Sequence, residues 1–284
     1  MKLAVNYSAI LGELIQAHPE LPVDYIKVPT MPFPGCFARQ FDAGIKLRPL
    51  LPHPAQPGVL SLGAPQPEQC FNPKIVAEII RRTSPPYLST HMDALIDYFP
   101  EYKALQHCDD LKLGAVVKER LLTAIAIVKY QTKLPLILEN FPYYSWFHHY
   151  RIGSQPEFIT EVCAAGDCGF LLDIAHARCS AWSLKMETEV YLKALPLNRL
   201  REIHLSGVRE FDYGICDTHT ALGEIDYTLL QTVLAWARPE IVTLEYGGMP
   251  ERITNCFGVI EPIRRNDCHE LEEMILRTRE IIGM

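Results

Sequence analysis

Apolar residues run through the chain in two rhythms. Short runs, several of them apolar on both faces, alternate with longer stretches in which apolar residues return every three or four positions. The short runs are Leu3–Tyr7, Tyr25–Val28, Val59–Leu62, Tyr87–Thr90, Leu136–Leu138, Phe170–Ile174, Glu202–Leu205 and Val242–Leu244. Rich in Leu, Ile and Val, they read as strands of a parallel sheet covered by helices. Helices are expected over Ala9–Ala17, Pro73–Thr83, Val116–Gln131, Pro156–Ala165, Glu187–Leu195, Tyr227–Ala237 and Cys268–Ile282. Asn72 before Pro73 is a strong start signal, since its side chain can cap the first turn and proline suits the first helical position.

Strand and helix alternating eight times predicts an α/β fold, a (β/α)8 TIM barrel. An open doubly wound sheet is the alternative, but no glycine-rich phosphate loop follows the first strand. No composition shift or repeat divides the chain, so residues 1–284 are expected to form a single TIM-barrel domain. A proline-rich stretch over 29–57 is expected to lie over the barrel mouth, because long stiffened connections in compact domains usually serve the site.

Composition narrows the function. The net charge of −7 argues against a protein built to grip nucleic acid, which favours a basic face. No apolar run approaches the roughly 18 residues of a membrane span, and the start of the chain turns polar too soon for a signal peptide. Nine cysteines with no Cys-x-x-Cys pair suggest reduced thiols and a cytoplasmic protein.

The candidate chemistry sits where the strands end. Strand four leads to His91, strand five to Glu139, strand six to Asp173 and His176, and strand seven to His204. Asp217 and His219 follow, and alternation along an extended segment would point both the same way. Strand eight leads to Glu245. Barrels carry their active sites at these C-terminal strand ends. Each residue alone has an ordinary reading: a hydrogen-bonded histidine, or a carboxylate capping the next helix. Together, four imidazoles and four carboxylates converge on one mouth. Such a set resists desolvation without cations. Imidazole and carboxylate without thiolate suit zinc, iron or manganese. Eight ligands exceed what one ion of about four to six coordination needs, so two or three ions are expected, with Glu139 and Glu245 as candidate bridges. Asn140 and Asp93 are candidates to brace these ligands. The aromatic stretch Phe141–Tyr150 reads equally as a substrate wall or a packed loop, and it carries His148 and His149.

At these residues the chain resembles the xylose isomerase-like barrels. Its ligand order is that of endonuclease IV. The stretches Leu138-Glu139-Asn140, Gly169-Phe170-Leu171-Leu172-Asp173, Tyr191-Leu192-Lys193-Ala194-Leu195-Pro196, Ile203-His204-Leu205-Ser206-Gly207 and Asp217-Thr218-His219 look more like the multinuclear non-haem iron oxidative enzymes, long classed as a domain of unknown function. The resemblance implies two iron ions, or three, and dioxygen-dependent modification of a peptide, often at cysteine, with a partner protein that presents the peptide. Two departures stand out. The histidine that family carries before a Ser-Leu-Gly motif is missing, since Gln56 and Pro57 occupy its place ahead of Ser61-Leu62-Gly63; His53, just upstream, is the candidate substitute. His176 stands where many members have asparagine. A zinc- or manganese-dependent hydrolase, including a phosphodiesterase, and a sugar isomerase or epimerase are the rival readings on the same barrel. A metal-binding scaffold without catalysis is a further one.

Overall fold

A computed structural model describes residues 1–29, 41–55, 58–146, 149–212, 214–246, 252–254, 260–262 and 267–283. Eight parallel strands form a nearly closed barrel: β1 (Lys2–Asn6), β2 (Tyr25–Pro29), β3 (Leu50–His53), β4 (Leu88–His91), β5 (Leu136–Glu139), β6 (Gly169–Asp173), β7 (Leu200–Leu205) and β10 (Ile241–Leu244). Their order is β3-β2-β1-β10-β7-β6-β5-β4. A hairpin, β8 (Gly207–Phe211) and β9 (Gly214–Thr220), rises between β7 and β10. The helices are α1 (Ala9–Ala17), α2 (Pro73–Thr83), α3 (Leu111–Thr132), α4 (Pro156–Ala165), α5 (Ile174–Leu184), α6 (Thr188–Ala194), α7 (Glu224–Trp236) and α8 (Cys268–Gly283). Asn72 caps α2 as expected, accepting from the N–H groups of Lys74 and Ile75 at 3.1 and 3.2 Å. Asp110 starts α3 five residues ahead of the periodic pattern, accepting from Leu113 N–H at 2.8 Å.

Strand three differs from expectation. It is Leu50–His53, not Val59–Leu62. The difference matters because His53 then ends a barrel strand, like His91 and Glu139. Pro52 hid the strand, since proline is normally confined to edges. Here it stands at one. Pro49 O accepts from Ile26 N–H of β2, so alternation turns Pro52 and Pro54 toward β4, with no N–H to give it. Side chains close this seam instead of a backbone ladder. Ser89 Oγ donates to Pro52 O at 3.5 Å, and Thr90 Oγ1 to Pro54 O at 3.3 Å. Of the proline-rich stretch expected over the mouth, residues 30–40, Gln56 and Pro57 lie outside the described residues.

Alternation also builds the barrel interior in layers. At the bottom, Ala4, Leu51, Tyr87, Ile137, Leu171 and Ile241 pack as a small apolar cluster. The other buried apolar residues pack between the sheet and its helices. Above it the interior turns polar, with Lys27, Ser89, Glu202 and Thr243 joined by hydrogen bonds. At the top of the strands stand His53, His91, Glu139, Asp173 and His204, with Glu245 just past β10.

Candidate metal centre

Glu139 is the hub. Its Oε2 lies 3.2 Å from His53 Nε2 and 3.5 Å from His91 Nε2. Its Oε1 lies 3.5 Å from His204 Nδ1 and 3.3 Å from His176 Nδ1. His204 Nδ1 is also 3.2 Å from Glu245 Oε1 and 4.0 Å from Asp173 Oδ2. The hairpin completes the ring. His219 Nε2 lies 3.0 Å from Asp217 Oδ2 and 3.4 Å from Glu245 Oε2, and His176 Nε2 lies 3.3 Å from the same Asp217 oxygen. All eight expected groups, and His53 as the ninth, therefore meet at one mouth. Two sets have donor atoms close enough to hold an ion, namely His53–His91–Glu139 and Glu139–Asp173–His204, and Glu139 belongs to both.

Local structure aims these groups. Asp173 caps α5, accepting from His176 N–H through Oδ1 at 2.7 Å, which leaves Oδ2 facing the centre. Asn140 locks β5 to β6 in both directions, donating to Asp173 O at 2.9 Å and accepting from Asp173 N–H at 2.8 Å. Its own carbonyl lies 2.9 Å from His176 Nδ1, so that nitrogen donates to it and Nε2 is the one that faces Asp217. Ser206 donates to Asp217 Oδ1 at 2.5 Å, and Tyr144 OH accepts from Asp217 N–H at 3.1 Å. His219 takes φ +49°, a left-handed conformation that few residues other than glycine adopt, and reaches the centre from β9 that way.

The site tests whether metal fits through its unpaired atoms. Glu139 Oε2, Asp173 Oδ2 and His204 Nδ1 are buried without a hydrogen-bond partner. Buried polar atoms are nearly always satisfied, and orphans on the shared carboxylate and on two of its partners are what bound cations would satisfy. Electrostatics agrees. Burial pushes Asp173 up to about 7; His176 opposes this, while Asp217, Glu139 and Glu245 add to it. Burial works against the charge on His204 and His219, yet Glu245 and Glu139 hold the first at about 10, and Asp217 and Glu245 the second. Burial keeps His53 well below its ordinary range, neutral and ready to donate a lone pair.

Some expected neighbours do other work. Asp93 spends both oxygens on the loop after β3, accepting from Ser61 O–H and, at 2.9 Å, from Gly63 N–H. The Ser61-Leu62-Gly63 motif is thus a clamp on Asp93 rather than a strand. His149 is fully buried: its Nε2 accepts from Ala94 N–H at 3.1 Å, and its ring stacks on Phe141 with centroids 4.7 Å apart. Burial pushes it down to about 3. Phe141 in turn meets the His91 ring edge-on at 5.0 Å. The aromatic stretch here is packing that braces ligands. Phe147 and His148 lie outside the described residues.

The sequence reading passed over Glu202 and Lys27. Glu202 Oε1 lies 3.1 Å from His204 Nε2 and accepts from Lys27 Nζ at 2.7 Å. Burial raises the Glu202 carboxyl, but Lys27 and His204 outweigh it and keep it ionised. An ionised carboxylate only accepts, so His204 Nε2 donates to it, and Nδ1 is the nitrogen turned toward the centre. The signal was a charged residue two positions before a strand-end histidine.

The eight-stranded β/α barrel is a TIM barrel of the xylose isomerase-like fold. A D-tagatose 3-epimerase-like protein shares this fold at 15% identity, with a TM-score of 0.63 over 100% of this chain and 98% of that one. Endonuclease IV from Thermus thermophilus does so at 17% identity, with a TM-score of 0.55 over 100% and 99%. Residues 8–255 match the sequence profile of the RiPP precursor modification enzymes MbnB/TglH/ChrH, and the chain belongs to that family. These are enzymes that modify ribosomally made precursor peptides, and the family is metal-dependent. A UPF0276 protein of Anaeromyxobacter sp. (strain Fw109-5) is 28% identical over 212 residues, 70% of this chain and 69% of that protein. One from Acaryochloris marina (strain MBIC 11017) is 34% identical over 84 residues, so this chain spans 30% of that relative's length. No helix among the described residues is long and apolar enough to cross a membrane.

Proposed function

We propose that this chain is an iron-dependent oxidative enzyme acting on a peptide, held by a partner protein or alone. The observation that carries the reading is the shared carboxylate: Glu139 joins two donor sets, and its Oε2, Asp173 Oδ2 and His204 Nδ1 are buried without hydrogen bonds. His53, His91 and Glu139 would hold one ion, and Glu139, Asp173 and His204 a second. Asp217, His219, Glu245 and His176 would complete the second or hold a third. Iron bound there supplies one-electron chemistry toward dioxygen, which none of the chain's own side chains can provide.

The chain's part is orientation and exclusion. His53, Glu139, Asp173 and His204 are buried, whereas the His91 and His219 side chains keep 24% and 35% of their exposure. The substrate therefore approaches from the side of those two rings. Phe141 packs edge-on against the His91 ring, and Tyr144, stacked on Trp146, holds the backbone of Asp217. The fold neighbours at 15% and 17% identity speak for the fold alone, so the isomerase and hydrolase readings gain nothing from them. The test is to purify the chain without air, measure its metals and supply cysteine-bearing peptides under oxygen. Iron near two per chain with oxygen-dependent change in peptide mass supports the reading. Zinc alone, with cleavage of abasic DNA, replaces it.

A further inference from the structure

Beneath the centre lies a buried lysine that the proposed chemistry does not use. Lys27, on β2, is 1% exposed. Its Nζ donates to Glu202 Oε1 at 2.7 Å and to Ser89 Oγ at 3.2 Å. Each acceptor touches a histidine of a different candidate set. Glu202 Oε1 lies 3.1 Å from His204 Nε2, and Ser89 Oγ lies 2.8 Å from His53 Nδ1.

We propose that Lys27 is the positioning residue of the metal centre: through Ser89 and Glu202 it dictates which nitrogen of His53 and of His204 faces the ions. The inference rests on the metal-centre reading and follows from which atoms face each other. The Lys27 ammonium holds Ser89 Oγ, and that oxygen lies 2.8 Å from His53 Nδ1. With Nδ1 engaged below, Nε2 of the same ring is the nitrogen that faces the centre, 3.2 Å from Glu139. At Glu202, Oε1 accepts from Lys27 and from Thr243 Oγ1 at 2.6 Å, and Oε2 accepts from Tyr87 OH at 3.0 Å. The carboxylate has no proton to offer, so His204 donates from Nε2, and Nδ1 is the nitrogen that faces the centre. One ammonium thus sets the donor atom of one imidazole in each set.

Without Lys27, Ser89 and Glu202 lose the ammonium that ties them together beneath the centre. The rings of His53 and His204 then lose the fixed partners that hold Nε2 of the one and Nδ1 of the other toward the ions. Outer partners of ligating histidines typically govern metal affinity by about 10- to 100-fold.

The test titrates cobalt(II) into metal-stripped full-length chain and follows the visible d–d bands and the number of ions bound. Wild type, Lys27→Met, Ser89→Ala and Glu202→Gln are compared, with circular dichroism as the check on folding. Lys27→Met is expected to bind cobalt about 10- to 100-fold more weakly with altered bands. Ser89→Ala, which leaves the Lys27–Glu202 pair in place, is expected to weaken one ion and spare the other. Should Lys27→Met fail to fold, Ser89→Ala carries the test. A folded Lys27→Met, or a Ser89→Ala, with wild-type affinity and bands overturns the inference while the centre stands. A wild-type chain that binds no cobalt overturns the centre, and the inference with it.

Discussion

Glu139 Oε2 and His53 Nε2 stand 3.2 Å apart above β4, the strand that lies between theirs. The contact makes His53 part of the centre although proline flanks it on both sides. His53→Ala should therefore lower the bound metal by one ion per chain and leave the remainder in place. Elemental analysis of the purified variant reads this directly. A metal content equal to wild type would remove His53 from the centre.

Glu139→Gln should do more. The amide keeps the shape but loses the charge shared by both donor sets. Affinity for every ion that Glu139 touches should fall by more than about 100-fold, beyond what an outer hydrogen bond is worth. Competition with a chelator of known affinity measures it. Loss of one ion with the other held at full strength would show that Glu139 does not bridge.

Metal binding should release protons. In the metal-free chain, burial is outweighed by Glu245 and Glu139 at His204 and by Asp217 and Glu245 at His219, which raises both from 6.5 to about 10. Both imidazoles are then protonated at neutral pH. Their ion pairs add stability to the metal-free fold, fully below about 6.5 and lost as pH rises through about 10. A metal must displace those protons, so its affinity should rise with pH over this window. Calorimetry in buffers of different ionisation enthalpy counts the protons released; a count of zero contradicts the account.

Two arginines offer a contrast in stability. Arg178 and Asp226 form an ion pair whose side chains are 8% and 4% exposed, tying α5 to the start of α7. Arg178→Met should cost about 3–5 kcal/mol, because Asp226 is left charged and buried. Arg277 pairs with Glu224 at the surface, where water screens the pair, and Arg277→Met should cost far less. Urea denaturation of the metal-free variants measures both, and equal costs would contradict the assignment.

Most of the barrel was legible because parallel strands buried on both faces leave plain apolar runs. Three elements were not. β3 was masked by Pro52, which only the open seam tolerates. Helix α5 shows no stripe, since Ile174 through Ala181 are all buried, and a helix covered on every side has no periodicity to read. The β8–β9 hairpin was missed, although the shared direction of Asp217 and His219 was expected from alternation. The centre itself was legible in the residues that end the strands. Its floor was not, because Lys27 and Glu202 inside short strands look like interruptions until the interior is seen as layers.

Diffraction data collected at the iron edge from crystals grown without air test the central claim most directly. The account predicts at least two anomalous peaks within bonding distance of Glu139, one beside His53 and His91 and the other beside Asp173 and His204. An active enzyme with no peak there, or with its metal bound elsewhere on the barrel, would contradict it.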